Sequence, residues 1–274
     1  MTQAARVDAE LVRRGLARSR EHAVTLIADG RVSADGRPVT KPAYRVHAQS
    51  ALAIAEDPSD PGYVSRAGHK LAGALEAFGP AGLSARGRRC LDVGASTGGF
   101  TDVLLRAGAD QVVCLDVGRD QLVASLRADP RTVVLEGRNI REVGTDDLGG
   151  PVDLAAADVS FISLLLVLPV LVEVTAPEGD LVVMVKPQFE VGRERLGSGG
   201  VVRDPQLRRE AVRRVAAAAA DLGWGVRGVA PSVLPGPSGN EECFLWLRQG
   251  PASVDANEID RAVGDRPGGE RVSW

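Results

Sequence analysis

The sequence predicts an α/β protein: a Rossmann-like, doubly wound sheet of seven mostly parallel strands, preceded by a small α+β domain. Three observations carry that reading. Between residues 89 and 247, seven short apolar runs alternate with helical stretches. The first of those runs breaks into a glycine-rich turn, Gly94-Ala95-Ser96-Thr97-Gly98-Gly99. Residues 1–56 differ in charge, with nine Arg and Lys against six Asp and Glu in a chain of net charge −3.

Composition excludes other classes. Hydrophobic residues make up 44% and charged residues 25%, the balance of a globular chain. The longest apolar run, Phe161 to Val172, is interrupted by Ser163 and Pro169 and falls short of the ~20 residues that span a membrane. The start, MTQAARVDAELVRRG, has no hydrophobic signal core. Cys90, Cys114 and Cys243 form no CxxC pair, so neither a disulfide scaffold nor a metal site is expected, and a reducing cytoplasm fits.

The front segment reads helix, helix, hairpin. Asp8 to Arg14 makes a short helix with Leu11 inward. Ser19 is a candidate N-cap for a second helix to Ala28, with Ala23, Leu26 and Ile27 buried and Gly30 ending it. Arg31–Ser33 forms a strand, 34–37 a turn and Pro38-Val39 the return. The polar stretch Glu56-Asp57-Pro58-Ser59-Asp60-Pro61-Gly62 suits a linker.

The body's strands are expected at 89–93, 112–116, 132–136, 152–158, 180–186, 226–230 and 244–247. Helices are expected from the SRAGHKL segment to Phe78 and at 98–107, 120–128, 161–175 and 205–222, the last including the alanine run 216–220. Crossover helices cover both faces of such a sheet, so runs like Leu181-Val182-Val183-Met184-Val185 can be apolar throughout. Ligands then bind at the carboxyl ends of the strands. The tail after about Gly250 lacks long apolar periodicity and is expected to be poorly ordered.

The glycine turn departs from the dinucleotide fingerprint GxGxxG, because Ser96 stands where the second glycine admits a pyrophosphate. An acid, Asp116, ends the second strand, where a carboxylate can take both hydroxyls of a ribose. Loop and acid together suit S-adenosylmethionine, held by Gly94, Ala95, Ser96, Thr97, Gly98, Gly99, Phe100 and Asp116. A nicotinamide cofactor and a ligand-free structural turn are the alternatives. Asn139, after the third strand, is a candidate for the adenine edge, against a simple turn residue.

Polar residues end strands four and five: Asp158 in Ala157-Asp158-Val159-Ser160-Phe161, and Lys186 in Val185-Lys186-Pro187-Gln188-Phe189. Only three of the 33 basic residues are lysines, at 41, 70 and 186. Codon bias toward Arg is the bland reading; the alternative is that Lys is kept where a compact ammonium able to release its proton does what a guanidinium cannot, which makes the three lysines candidates. Phe161 and Phe189 are candidates to stack on a nucleobase taken out of its helix, with core packing as the alternative. The segment 192–200, GRERLGSGG, is a flexible basic loop beside them.

Residues 1–56 resemble an S4-type RNA-binding domain through Arg6-x-Asp8, Leu11, Ser19-Arg20-x-x-Ala23, Ile27, Gly30, Val32 and Gly36. The resemblance makes Arg6, Arg18 and Arg20 the foremost RNA contacts, with Arg13 and Arg14 next. The ordered motifs SRAGHKL, GASTGGF, DVSFISL, VKPQFE and GPSGNxE resemble the TlyA (hemolysin A) family, over roughly residues 4–248. That family joins an S4 domain to an FtsJ-like ribose 2′-O-methyltransferase.

The resemblance implies a catalytic tetrad of Lys70, Asp158, Lys186 and Glu242, with Asp158 also beside the cofactor. Glu241 is the rival of Glu242, and strand alternation lets only one of them face the site. Lys186 is the group expected at the 2′-hydroxyl, either as a base or as a charged donor. The implied domains are 1–56 for RNA binding, 57–65 as linker, 66–249 for methyl transfer and 250–274 as tail. The implied function is methylation of a ribose, that of cytidine, in 16S or 23S ribosomal RNA, or in both, within ribosomal subunits. A cytoplasmic monomer is expected, with no DNA and no membrane partner. The alternatives are a membrane-lytic protein and an RNA-binding protein whose methyltransferase body is inactive.

Overall fold

The computed structural model describes residues 4–17, 20–55 and 61–264. The chain forms two compact units that divide at Gly62/Tyr63. Ser19, expected to cap the second helix, lies outside the described residues, as do 56–60 of the expected linker.

In the front unit β1 (Ala5–Arg6) leads into α1 (Val7–Arg13), followed by α2 (Arg20–Ala28), β2 (Val32–Ala34), β3 (Arg37–Pro38), β4 (Arg45–Val46) and β5 (Leu52–Ile54). Strand β2 sits between β3 and β5, all antiparallel, and β1 pairs with β4. The expected hairpin, β2–β3, is therefore two strands of a three-stranded sheet, with β5 on the other edge of β2. Val7, Leu11, Ala23, Leu26, Ile27, Val32 and Val46 bury the small core. The third strand, Leu-Ala-Ile, was not expected because three residues are too few to show a period.

The second unit contains α3 (Arg66–Phe78), β6 (Arg89–Val93), α4 (Gly99–Arg106), β7 (Gln111–Asp116), α5 (Ala124–Arg127), β8 (Thr132–Glu136), α6 (Thr145–Leu148), β9 (Val152–Ala157), α7 (Leu168–Val174), β10 (Thr175–Val185), α8 (Pro187–Glu190), α9 (Pro205–Asp221), β11 (Trp224–Pro231), β12 (Cys243–Gln249) and α10 (Ala256–Gly264). Its seven-stranded sheet runs β11-β12-β10-β9-β6-β7-β8. Strand β12 is antiparallel to both neighbours, and the pairings from β10 to β8 are parallel.

Strand alternation divides the core in two. Leu91, Val93, Ala155, Ala157, Leu181, Val183, Val185, Leu245 and Leu247 pack with α7, α9 and α10 on one face. Cys90, Cys114, Leu154, Ala156, Val182, Met184, Phe244 and Trp246 pack with α3 and α4 on the other. In β6, β7 and β12, in β9 from Leu154 on and in β10 from Val182 on, even-numbered residues thus face α3 and α4. That parity governs the site. Burial pushes the thiols of Cys90, Cys114 and Cys243 up to about 12, so all three are unreactive packing residues.

Three expectations need correction. The helix expected at 120–128 shrinks to four residues, because the backbone amides of Asp120, Gln121 and Leu122 donate to the Glu136 carboxylate. The helix expected at 161–175 is a 3-10 turn at Leu164–Leu166 followed by α7, with Phe161 in the left-handed region at φ 64° and Pro169 in the first turn of α7.

The tail expected to be poorly ordered instead forms α10, packed on α9 and β11, with Ile259 buried. Asp255 and Glu258 cap it reciprocally: Asp255 N–H donates to Glu258 Oε2 at 2.9 Å and Glu258 N–H to Asp255 Oδ1 at 2.8 Å. Residues 265–274 lie outside the described residues. At the body's other boundary, Val64 N–H donates to Asp102 Oδ2 at 3.0 Å and the Arg106 guanidinium lies 5.1 Å over the Tyr63 ring. Residues 63–65, expected as linker, are held by these contacts.

Candidate active site

The carboxyl edge of the sheet collects the polar residues. Asp158 N–H donates to Val93 O at 2.9 Å, directly beyond the paired Val93 and Ala157. Val185 pairs with Cys243, so Lys186 and Glu242 stand opposite each other one step further on. Asp116, Asp158, Lys186 and Glu242 are all even-numbered and extend strands whose even positions face α3 and α4. Helix α3 supplies Lys70.

Two ion pairs result. Lys186 Nζ lies 2.5 Å from Asp158 Oδ1 and donates to Ser160 Oγ at 2.8 Å. Lys70 Nζ donates to Glu242 Oε2 at 2.5 Å. Lys70, Lys186 and Glu242 are all buried. A buried charge persists only when paired, and each lysine has its carboxylate. Glu241, of opposite parity, turns away and pairs with Arg208 of α9 at 3.1 Å. Parity thus assigns Glu242 to the site.

Close approach of α3 and α4 brings Lys70 there. A Cβ on Gly99 would lie 2.2 Å from Ser65 Oγ and 2.9 Å from Gly68 N, and one on Gly68 would lie 2.7 Å from Tyr63 Cβ. Neither position admits a larger residue, which explains glycines in both SRAGHKL and GASTGGF. Gly94 has φ 87°, and a Cβ there would lie 2.5 Å from Asp158 O. The loop is pressed against the end of β9.

The loop's fit to a ligand follows from its partners. Ser96 N–H donates to Asp116 Oδ2 at 2.7 Å, and Gly118 N–H donates to Asp116 Oδ1 at 2.6 Å. The Ser96 amide is therefore committed to a carboxylate and not to a phosphate. Asp92 lies beneath the loop, fully buried, with Thr101 Oγ1 donating to Oδ2 at 2.6 Å and Oδ1 unpartnered. Burial pushes its carboxyl up to about 7, and the nearby Asp158 and Asp116 add to the rise. The carboxylates of Asp116 and Asp158 at this edge suit a sulfonium cation and oppose a pyrophosphate. These residues fit S-adenosylmethionine better than a nicotinamide cofactor.

The remaining cofactor candidates divide. Ser96 and Thr97 are exposed, and Gly94 is half-buried. Ala95, Gly98, Gly99 and Phe100 are buried, and the Phe100 ring packs against Phe244 at 6.1 Å. Phe100 therefore offers a ligand no ring contact, because its side chain belongs to the core. Asn139 is half-buried and its Oδ1 caps the next turn, accepting from Arg141 N–H at 3.1 Å. Sequence reasoning missed Val117, an apolar residue 70% exposed beside Asp116. It also missed Asp92, whose signal was an acid inside an apolar central strand.

Phe161 is 93% exposed and sits 5.3 Å from the Phe189 ring. Its left-handed backbone costs on the order of 1–3 kcal/mol, which surrounding contacts must overcome. Core packing is excluded for Phe161.

In the front unit, Arg6 and Arg20 converge on the buried Asp8, at 2.9 and 3.0 Å. Their hydrogen bonds, that of Arg6 foremost, hold its carboxyl well below the usual range. Arg6 and Arg20 remain 44% and 62% exposed, so both guanidinium groups still face solvent. Arg18 lies outside the described residues. Arg13 pairs with Glu10, while Arg14 adds the carbonyls of His47, Ala48 and Ser50, a structural role.

This sheet order, acidic glycine loop and ionic edge define a class, the FtsJ-like methyltransferases. That family matches residues 63–249, and the S4 domain family matches residues 5–51. Among relatives, the 16S/23S rRNA (cytidine-2′-O)-methyltransferase TlyA of Mycobacterium tuberculosis is 56% identical over 96% of this chain and 97% of its own. A solved structure from Streptococcus thermophilus, named for hemolysin, is 37% identical over 96% of this chain and 95% of that one, with TM-score 0.76. A second hemolysin-named structure, from Lactococcus lactis, is 40% identical over 74% of this chain and 98% of that one, with TM-score 0.69. The chain belongs to the TlyA family. Among the described residues, no helix is long and apolar enough to cross a membrane.

Proposed function

We propose that this protein transfers a methyl group from S-adenosylmethionine to the 2′-hydroxyl of a cytidine ribose in 16S or 23S ribosomal RNA. It acts as a cytoplasmic monomer whose front domain docks the RNA of a ribosomal subunit. The observation that carries this reading is the gathering of Lys186–Asp158 and Lys70–Glu242 on the α3 side of the sheet's carboxyl edge. The activity named for the M. tuberculosis relative supports the same reaction and substrate.

When bound, S-adenosylmethionine supplies a methyl group already activated on a sulfonium sulfur. The protein's task is to orient the attacking oxygen and manage its proton. The Gly94–Gly99 backbone and Asp116 would hold the adenosyl part, with Asn139 and Val117 beside the adenine. Lys186 Nζ hydrogen-bonds the 2′-oxygen, while Asp158 and Ser160 fix the direction of the ammonium. The Lys70–Glu242 pair flanks the same edge. Phe161 and Phe189 offer aromatic faces to a nucleobase. Holding the reacting atoms in line supplies about 7–11 kcal/mol in favourable cases, whereas a positioned acid or base supplies ~10²–10⁴-fold in rate. Orientation is therefore the larger part of this site's work. Arg6, Arg18 and Arg20 supply salt-dependent attraction to phosphates.

The test is tritiated methyl transfer from S-adenosylmethionine to purified, unmethylated 30S and 50S subunits. Wild type labels RNA, and Lys186→Ala lowers the rate ~10²–10⁴-fold with cofactor affinity retained. Cofactor binding without label in either subunit contradicts the ribosomal target. Absence of cofactor binding contradicts the enzyme reading.

A further inference from the structure

The loop that carries Asp158, Ser160 and Phe161 is gripped at both ends by one short helix. Lys186, the N-cap of α8, holds Asp158 and Ser160 at the loop's start. Glu190, the last residue of α8, holds its far end. Ser163 Oγ donates to Glu190 Oε2 at 2.5 Å, and Leu164 N–H donates to Oε1 at 2.8 Å. Between the two grips, the Phe161 ring rests on Phe189. Three residues of α8, or at its start, thus meet three successive parts of the loop.

Glu190 is only 4% exposed, and no step of the proposed reaction uses it. Burial raises its carboxyl, while the bonds from Ser163 and Leu164 oppose that rise. A carboxylate kept in such a place is spent on the loop. The backbone of Phe161 explains the need. A bulky residue at φ 64° relaxes unless its neighbours over-determine it, and relaxation turns the ring and shifts Ser160.

We propose that Glu190 is a positioning residue for methyl transfer: by pinning Ser163 and Leu164 it holds Phe161 outward and keeps Ser160 on Lys186. The proposal rests on the methyltransferase reading. Its effect passes through Phe161, so the two residues must be coupled.

The experiment combines a double-mutant cycle with hydrogen exchange on the full chain. Glu190→Gln keeps the shape and one acceptor. It lowers kcat ~10-fold, within the ~10²-fold that a 1 Å misplacement can cost, and leaves S-adenosylmethionine affinity within about twofold. Glu190→Ala, which loses both acceptors, lowers kcat further. In a Phe161→Ala background, Glu190→Gln costs less than about twofold more. An unchanged kcat, or an equal loss in both backgrounds, overturns the proposal. Amide exchange at Leu164 reads the grip without any substrate. Glu190→Ala speeds it at least ~10-fold while exchange in β6 and β10 stays unchanged. Unchanged exchange at Leu164, or uniform acceleration across the sheet, also overturns it. Wild-type enzyme inert on both subunits overturns the ribosomal reading instead, and the exchange result then decides the grip alone.

Discussion

Glu241 and Glu242 are chemically identical and adjacent, yet strand alternation gives them opposite work. Glu242 closes a buried pair with Lys70, while Glu241 reaches solvent and pairs with the half-buried Arg208. Removing one partner of a buried pair strands the other charge, at about 3–5 kcal/mol, and the loss is smaller where a partner is open to solvent. Glu242→Gln is therefore expected to abolish most methyl transfer and lower Tm, and Glu241→Gln to leave methyl transfer nearly unchanged with a smaller loss of Tm. Paired thermal melts and transfer rates check this contrast.

Asp92 makes a different prediction. Its carboxyl, ordinarily near 3.8, is pushed up to about 7 by burial, so the folded state holds a proton that the unfolded chain releases. The resulting stability is complete below about 3.8 and is lost as pH rises to about 7. Asp92→Asn removes that dependence, so its Tm gains on wild type as pH climbs from about 4 to 8. Parallel Tm curves contradict the assignment.

Some residue roles were legible in the sequence and some were not. Asp158 and Lys186 ended apolar strands and could be placed directly. The contacts of Ser160 with Lys186, and of Glu190 with Ser163 and Leu164, could not, because they depend on how two loops lie against each other. The direction of the Phe100 ring was not legible either: its motif position borders the glycine loop, and its ring turns into the core.

At the scale of elements, strands were easier to read than helices. All seven body strands fall where apolar runs predicted them, because a doubly covered sheet needs continuous apolar runs. Two helices were overestimated where side chains or proline took over the backbone. Glu136 captures three amides that a helix over 120–128 would have used, and Pro169 restarts the chain as α7. Helix α10 was overlooked although its capping box, Asp255 to Glu258, stood in the sequence. Its short apolar stripe has meaning only against α9 and β11. Ile259→Ala is expected to cost about 2–5 kcal/mol, the range for truncating a buried isoleucine. Chemical denaturation checks it, and a loss under about 0.5 kcal/mol shows that α10 is not part of the cooperative fold.

The whole molecule joins two kinds of recognition in one chain. The front unit carries a basic helix pair whose charge is partly spent internally, since Arg6 and Arg20 share Asp8 and Arg13 and Arg14 share Glu10. The body carries a glycine loop with acidic neighbours and a lysine-centred edge. Overall charge, −3, described neither. The division by segment did, because each unit keeps its own local excess. The atom that receives the methyl group separates ribose transfer from base transfer. Digesting RNA from treated ribosomal subunits to nucleosides, and identifying the methylated product by mass spectrometry, reads that atom. Wild-type enzyme is expected to give 2′-O-methylcytidine, and Lys186→Ala at least ~10²-fold less in the same time. A methyl group on a base, or 2′-O-methylcytidine formed equally by both proteins, contradicts that expectation.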